Sequence, residues 1–197
     1  MNEIPMRAPD AVAIDDTVMP FQVDALDLRG RLVRLGPMVD EILGGHDYPA
    51  PVSKLLGEAI VLGTLLGTAL KAEGRFILQT QTDGPVSMLI VDFRAPGDVR
   101  ACASFDKDRV EEFLAAGRKD ASTLLGRGHM AMTIDQGAAA SRYQGLVELQ
   151  GDLEAAAHGY FARSEQSPTR LRVAVAEEMV QGETGFVRRW RAGGMRL

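Results

Sequence analysis

"HDYPAPVSKLLGEAIVLGTLLGTALKAEG" (residues 46–74) carries twelve consecutive uncharged residues, Ala59 to Leu70, between Glu58 and Lys71. Pro51 suits the first turn of a helix, and Ala50 before it is pushed toward an extended conformation. The pattern predicts a helix from about Pro51 to Ala72, stopped at Gly74. At helical rise the uncharged run covers only ~18 Å, against ~30 Å for the hydrocarbon core of a bilayer, so it reads as a buried helix and not a membrane span. Its central turns are apolar all round, which demands enclosure by other elements. Ala59, Gly63 and Gly67 recur at four-residue spacing and let a neighbour approach closely. A glycine inside a helix costs ~1 kcal/mol relative to alanine. Gly57, Gly63 and Gly67 together therefore imply a packing need that offsets the cost.

Strand-like runs surround this helix. Upstream, "PFQVDALDLRGRLVRLG" reads as two strands joined near Asp27 to Gly30, followed by a short helix from Pro37 to Leu43 that stops at Gly44-Gly45. Downstream, "RFILQTQTD", "GPVSMLIVDF" and "DVRACASFD" alternate or run apolar as an antiparallel meander, with a turn at "APGD" (95–98). A helix closed by Gly117, strands at "HMAMTID" and "RYQGLVELQ", a helix at "DLEAAAHGYFARSEQ" and a strand at "TRLRVAVAEE" complete the pattern. After Glu178 it weakens. The expectation is one α+β domain, with antiparallel sheets and helices packed around the buried apolar helix at about 51–72. Residues 1–17 form a tail, 18–180 the core, and 181–197 a C-terminal segment leading out of it.

Composition narrows the functional classes. The net charge of -5 and the absence of a basic stripe argue against a nucleic-acid partner. Four arginines and no acid lie between Arg188 and Leu197, and pairing with the acidic body is expected for them. One cysteine, Cys102, excludes an internal disulfide framework and a multi-cysteine zinc site. The N-terminal residues have no apolar signal-peptide core, so a cytoplasmic location without membrane association is expected.

Few side chains form a defensible catalytic group. In "YFARSEQSPTR", Ser164, Glu165 and Gln166 are adjacent, with His158 upstream. Leu153, Ala156, Ala157, Tyr160, Phe161 and Ser164 mark one helix face, whereas His158 projects from the other and is badly placed to serve Ser164 as a base. Pro168 ends the helix, so the cluster reads as a helix terminus. His46, His129 and His158 have no metal-ligand spacing and read as solvated or locally hydrogen-bonded. Cys102 shares a strand face with Arg100, which would favour its thiolate. Met130 and Met132 share a strand face suited to adaptable apolar contact or to ordinary core filling. No phosphate loop, carboxylate pair or catalytic triad is present in the sequence pattern. No catalytic, cofactor-binding or metal-ligating residue is assigned.

Four stretches in matching order, "HDYPAPVSKLLGEAIVL" (46–62), "DGPVSMLIVDF" (83–93), "RYQGLVELQGD" (142–152) and "YFARSEQSPTRL" (160–171), resemble the 33-kilodalton heat-shock chaperone family, the redox-regulated holdases of bacteria. The resemblance runs from about Pro20 to Leu197. It implies an ATP-independent, homodimeric binding protein that holds unfolding client proteins in the cytoplasm and prevents their aggregation. It also implies, for full-length members, a C-terminal module of two cysteine pairs that binds zinc and forms disulfides on oxidation. Neither pair occurs here, and Cys102 matches none of those positions. The expectation is a core domain cut before that linker and module, with no cofactor of its own and its client surface permanently uncovered. The resemblance assigns no client-binding residue in this chain. Two alternatives stand beside it: a thiol enzyme or peroxide sensor using Cys102, and a passive dimerisation module.

Overall fold

The apolar run forms a helix that lies between two antiparallel sheets. The computed structural model describes residues 15–70, 74–118, 120–136, 142–165, 168–182 and 185–197. In chain order the elements are β1 (Thr17–Val23), β2 (Leu28–Leu35), α1 (Pro37–Gly44), α2 (Ala50–Gly67), β3 (Arg75–Thr82), β4 (Val86–Arg94) and β5 (Asp98–Phe105). Then follow α3 (Lys107–Ala115), β6 (Arg127–Asp135), β7 (Tyr143–Gln150), α4 (Leu153–Tyr160), β8 (Leu171–Gly182) and β9 (Gly185–Arg196). One sheet has the order β1-β2-β9-β8 and the other β5-β4-β3-β6-β7. α2 packs against β3, β4 and β5 on one side and β2, β8 and β9 on the other.

By length and composition α2 would be apolar enough to cross a membrane, but 78% of it is buried inside the protein. The predicted enclosure is what the sequence pattern demanded. The predicted bounds shift at both ends. Pro49 (φ -55°, ψ 143°) is the extended residue, and the N–H groups of Val52 and Ser53 donate to its carbonyl at 2.8 and 3.0 Å. Ala50 is therefore already helical, because the second proline sits where the first turn needs no N–H. At the other end the Thr68 hydroxyl bonds back to the Thr64 carbonyl at 2.8 Å, and the N–H groups of Ala69 and Leu70 donate to carbonyls three residues back. The helix tightens and stops at Gly67. Ala72 lies outside the described residues.

The glycines on α2 face side chains that leave no room for a Cβ. A Cβ on Gly63 would lie 2.7 Å from Val91 Cγ1, one on Gly57 2.9 Å from Val175 Cγ1, and one on Gly67 would meet the Phe93 ring. Val91 and Phe93 belong to β4 and Val175 to β8, so the glycines let sheets on both sides close onto one helix.

The meander, α1, α3 and α4 stand where the sequence places them. The β1–β2 connection differs slightly: it is the turn Asp24–Asp27, with Asp27 left-handed at φ 44°, and Gly30 lies inside β2 opposite Phe21. Thr17, expected in the tail, already pairs with Arg34 in β1; residues 1–14 lie outside the described residues. The largest departure is at the C-terminus. Residues 185–196, expected to lead out of the core, form β9, an interior strand between β2 and β8. Its small residues hide it from a hydrophobic pattern: Gly193 pairs with Arg34 and Ala174, and Gly194 with Val33 and Val173. A Cβ on Gly194 would lie 2.5 Å from Val61 of α2, so the strand is glycine-rich where α2 presses on it.

Candidate functional site

Exposure of apolar side chains is concentrated on one sheet. Ten large apolar side chains of the described residues are exposed. Seven of them, Met19, Val23, Leu26, Leu32, Met179, Phe186 and Val187, lie on β1, β2, β8, β9 or the β1–β2 turn. Single exposed apolar residues are ordinary, whereas a grouped set marks an interaction surface.

The geometry follows from strand alternation. Val33 and Leu35 are buried on the inner face of β2, so Leu32 points outward. Register then places Met19 opposite Leu32, Leu32 opposite Met195, and Met195 opposite Arg172. A row of two methionines and a leucine thus crosses three strands on the outer face, ending at a guanidinium. Methionine is unbranched and polarisable, which suits contact with varied apolar shapes.

The β8–β9 hairpin carries exposed apolar side chains on both faces: Val187 shares the parity of Met195, whereas Met179 and Phe186 share that of Val175, which faces α2. β2 pairs with β9 only from Leu35↔Ala192 to Arg31↔Arg196, while β8 and β9 pair over Leu171↔Arg196 to Gly182↔Gly185. Beyond Ala192 the hairpin is therefore a two-stranded ribbon projecting past its sheet. Met179 is 63% exposed and Phe186 67% exposed on it. Two of its three arginines are tied within the ribbon: Arg188 to Glu177 at 3.6 Å and Arg191 to Glu178 at 2.9 Å. The intramolecular pairing expected for the basic C-terminal arginines thus holds for these two.

At three points around this sheet, exposed backbone is closed by side chains. Glu154 of α4 accepts from the Val173 N–H at 2.6 Å and pairs with Arg172 at 2.9 Å. His158, one turn along α4, accepts through Nε2 from the Leu171 N–H at 2.8 Å. Asp40 of α1 accepts from the Trp190 N–H at 2.7 Å. His158 is thus locally hydrogen-bonded, and its imidazole is turned to β8 rather than toward a nucleophile. Gln166 lies outside the described residues; the backbone of Phe161–Glu165 makes a single π turn after α4.

The other sequence candidates scatter. His46 stacks on Tyr48 at 4.8 Å, and His129 is exposed on β6. Met130 and Met132 are buried core residues, so the apolar surface is built from other methionines. Cys102 is exposed on β5, opposite Ile90, while Arg100 stands opposite Asp92. Asp92 takes a two-pronged hydrogen bond from Arg75 at 2.7 and 2.8 Å. That bond holds its carboxyl below the usual carboxylate range, and the charges of Arg75, Arg94 and Arg100 add to the effect. Arg100 is thus shared with a carboxylate.

A cleft of about 410 Å³ opens between the sheets, lined by Val18, Leu35, Met38, Phe93, Pro96 and Val99 among others. Three of its polar side chains are satisfied by the fold itself. Thr64 and Thr68 bond to helix carbonyls, and Asp16 accepts from the N–H groups of Gly36 and Met38. No convergent polar set for orienting a substrate lies there. Among the described residues no three of His, Cys, Asp or Glu are grouped to hold a metal ion. With one cysteine in the sequence, these residues do not fit the zinc module that the family resemblance implies elsewhere.

Residues 16–195 match the family model described as Hsp33 protein. This chain belongs to the Hsp33 family. A 33 kDa chaperonin of Caulobacter vibrioides is 48% identical over 193 residues, covering 95% of this chain and 62% of the relative. One from Aliivibrio fischeri is 38% identical over 164 residues, covering 83% and 54%. The crystal structure of a 33 kDa chaperonin from Thermotoga maritima superposes with a TM-score of 0.64 at 18% identity, covering 90% of this chain and 60% of that one. The fold is therefore that of Hsp33. The chain spans about three fifths of the length of the Caulobacter relative and about half that of the Aliivibrio one.

The sequence pattern missed the surface because outward Met19, Leu32 and Met195 follow the same alternation as inward Val33 and Leu35. Which parity faces the core is set by where α2 lies.

Proposed function

We propose that this chain is an ATP-independent holding chaperone that captures unfolding proteins on the outer face of its four-stranded sheet. The observation that carries the reading is the grouping of exposed apolar side chains on that sheet, centred on the Met19–Leu32–Met195 row. Such a surface binds non-directionally, by removal of apolar area from water at about 25 cal/mol per Å², and so accepts many sequences. Family membership supports the same reading. Its partners are unfolded or partly folded polypeptides in the cytoplasm, with a second copy of the chain as homodimer partner. In full-length relatives, a zinc and disulfide switch would regulate access to this surface.

The test is light scattering from a chemically unfolded client diluted into buffer with the reduced chain and without ATP. Suppressed aggregation near stoichiometric ratios is expected, with severalfold weaker suppression by a Leu32→Glu, Met195→Glu double variant that keeps its melting temperature. Unchanged scattering with the parent chain would sink the proposal.

A further inference from the structure

β8 is the terminal strand of its sheet, so one of its edges faces away from β9. Leu171 and Val173 donate their N–H groups to His158 and Glu154 of α4, which identifies the odd-numbered residues as the outward ones. The even-numbered side of the ladder agrees: Arg170 exchanges both backbone hydrogen bonds with Leu197 on β9's side, at 3.1 and 2.8 Å. By the same alternation Val175, Glu177, Met179 and Gln181 direct N–H and C=O away from β9. Among the described residues no group accepts from these four amides.

Among the described residues, other exposed strand backbone is blunted at particular points. Pro20 interrupts the donor row of β1, the Tyr48 hydroxyl accepts from the Ala103 N–H of β5 at 3.1 Å, and Asp40 closes β9 at Trp190. On β8 the α4 side chains close the edge only as far as Val173. From Val175 to Gln181 it is open.

We infer that the outer edge of β8 from Val175 to Gln181 is a strand-addition site for an extended segment of unfolded polypeptide. This rests on the holding reading and names how a client would be gripped. Alternating N–H and C=O groups along a strand are matched in spacing and polarity by another extended backbone. Backbone pairing is indifferent to sequence, as a client site requires. Val175 and Met179 lie on the same face of β8, so apolar side chains of the added strand on that face would meet apolar neighbours. Glu154 and His158 set where the added strand must stop.

The test is amide hydrogen exchange of the whole chain by NMR, with and without saturating reduced, carboxymethylated α-lactalbumin. Expected is a gain in protection of about tenfold at Val175, Glu177, Met179 and Gln181, while Ala176, Glu178 and Val180, already bonded to β9, stay unchanged. Client binding without that alternation overturns the inference and leaves the holding reading standing. Absence of client binding together with absence of aggregation suppression removes both. Protection of the odd amides that rises with chain concentration alone would assign the edge to a second copy and also overturn it. Met179→Pro deletes one outward N–H without touching the ladder to β9, and about a fivefold loss of client affinity is expected. Gln181→Pro, nearer the tip, repeats the measurement if the even-numbered amides of the first variant lose protection.

Discussion

Gly63→Ala separates helix propensity from packing. Alanine is favoured over glycine in a helix interior by ~1 kcal/mol, so an isolated α2 peptide would gain helicity. In the folded chain the new Cβ would lie 2.7 Å from Val91 Cγ1 and 3.3 Å from its Cβ, against about 3.5–4.0 Å for relaxed carbon contacts. Val91 is fully buried on β4, a strand paired on both sides, so relief requires a shift of sheet or helix. Overpacking of this kind costs about 1–3 kcal/mol. Set against the propensity gain, a net loss of up to about 2 kcal/mol is expected, or a fall of about 4–8 °C in melting temperature at the upper end for a chain of this size. Urea unfolding of the parent, Gly63→Ala, Val91→Ala and the double variant gives the coupling directly. The double variant should be more stable than the sum of the singles by about 1–2 kcal/mol, because Val91→Ala vacates the space the new methyl needs. A Gly63→Ala chain stabilised by the full propensity difference, with additive double-variant energies, would refute the close-approach account of α2.

Three further outcomes can be checked. Burial raises the Glu58 carboxyl from 4.5 to about 7, opposed by Lys54 and reinforced by Asp152, Glu154 and Asp120. The unfolded chain therefore releases this proton first, and the group's stabilisation, present below pH 4.5, is lost as pH rises toward 7. Glu58→Gln should flatten that loss, by roughly 2–3 kcal/mol at most, in urea unfolding between pH 4.5 and 8; an unchanged slope would contradict it. Cys102→Ser should leave aggregation suppression in reducing buffer unchanged, and loss of suppression would revive the thiol alternative. Glu154→Ala should free the Val173 amide and cost about 1–3 kcal/mol in thermal or urea unfolding, as expected when a charged acceptor is removed; intact protection of that amide would show another acceptor.

Some of the site was legible in advance. The helix at 153–161 had its buried stripe, Leu153, Ala156, Ala157, Tyr160 and Phe161, and left His158 off that face. Nothing local announced that His158 and Glu154, four residues apart, meet alternate amides of a strand beginning at Leu171. β9 was illegible for the opposite reason. Gly193 and Gly194 carry no side chain to alternate, and their role is to admit Val61 and a neighbouring strand.

By itself the sequence determined the secondary elements that rest on local pattern: the apolar run of α2, the meander of β3 to β5, and the absence of cysteine pairs. These are set by side-chain period and by residue identity, which neighbours in space do not change. The tertiary structure decided which face of each strand is buried, that residues 185–196 close the four-stranded sheet from within, and that β8 is left with an open edge. Those features depend on contacts between residues far apart in the chain, and alternation along a strand is symmetric until a helix covers one of its two faces.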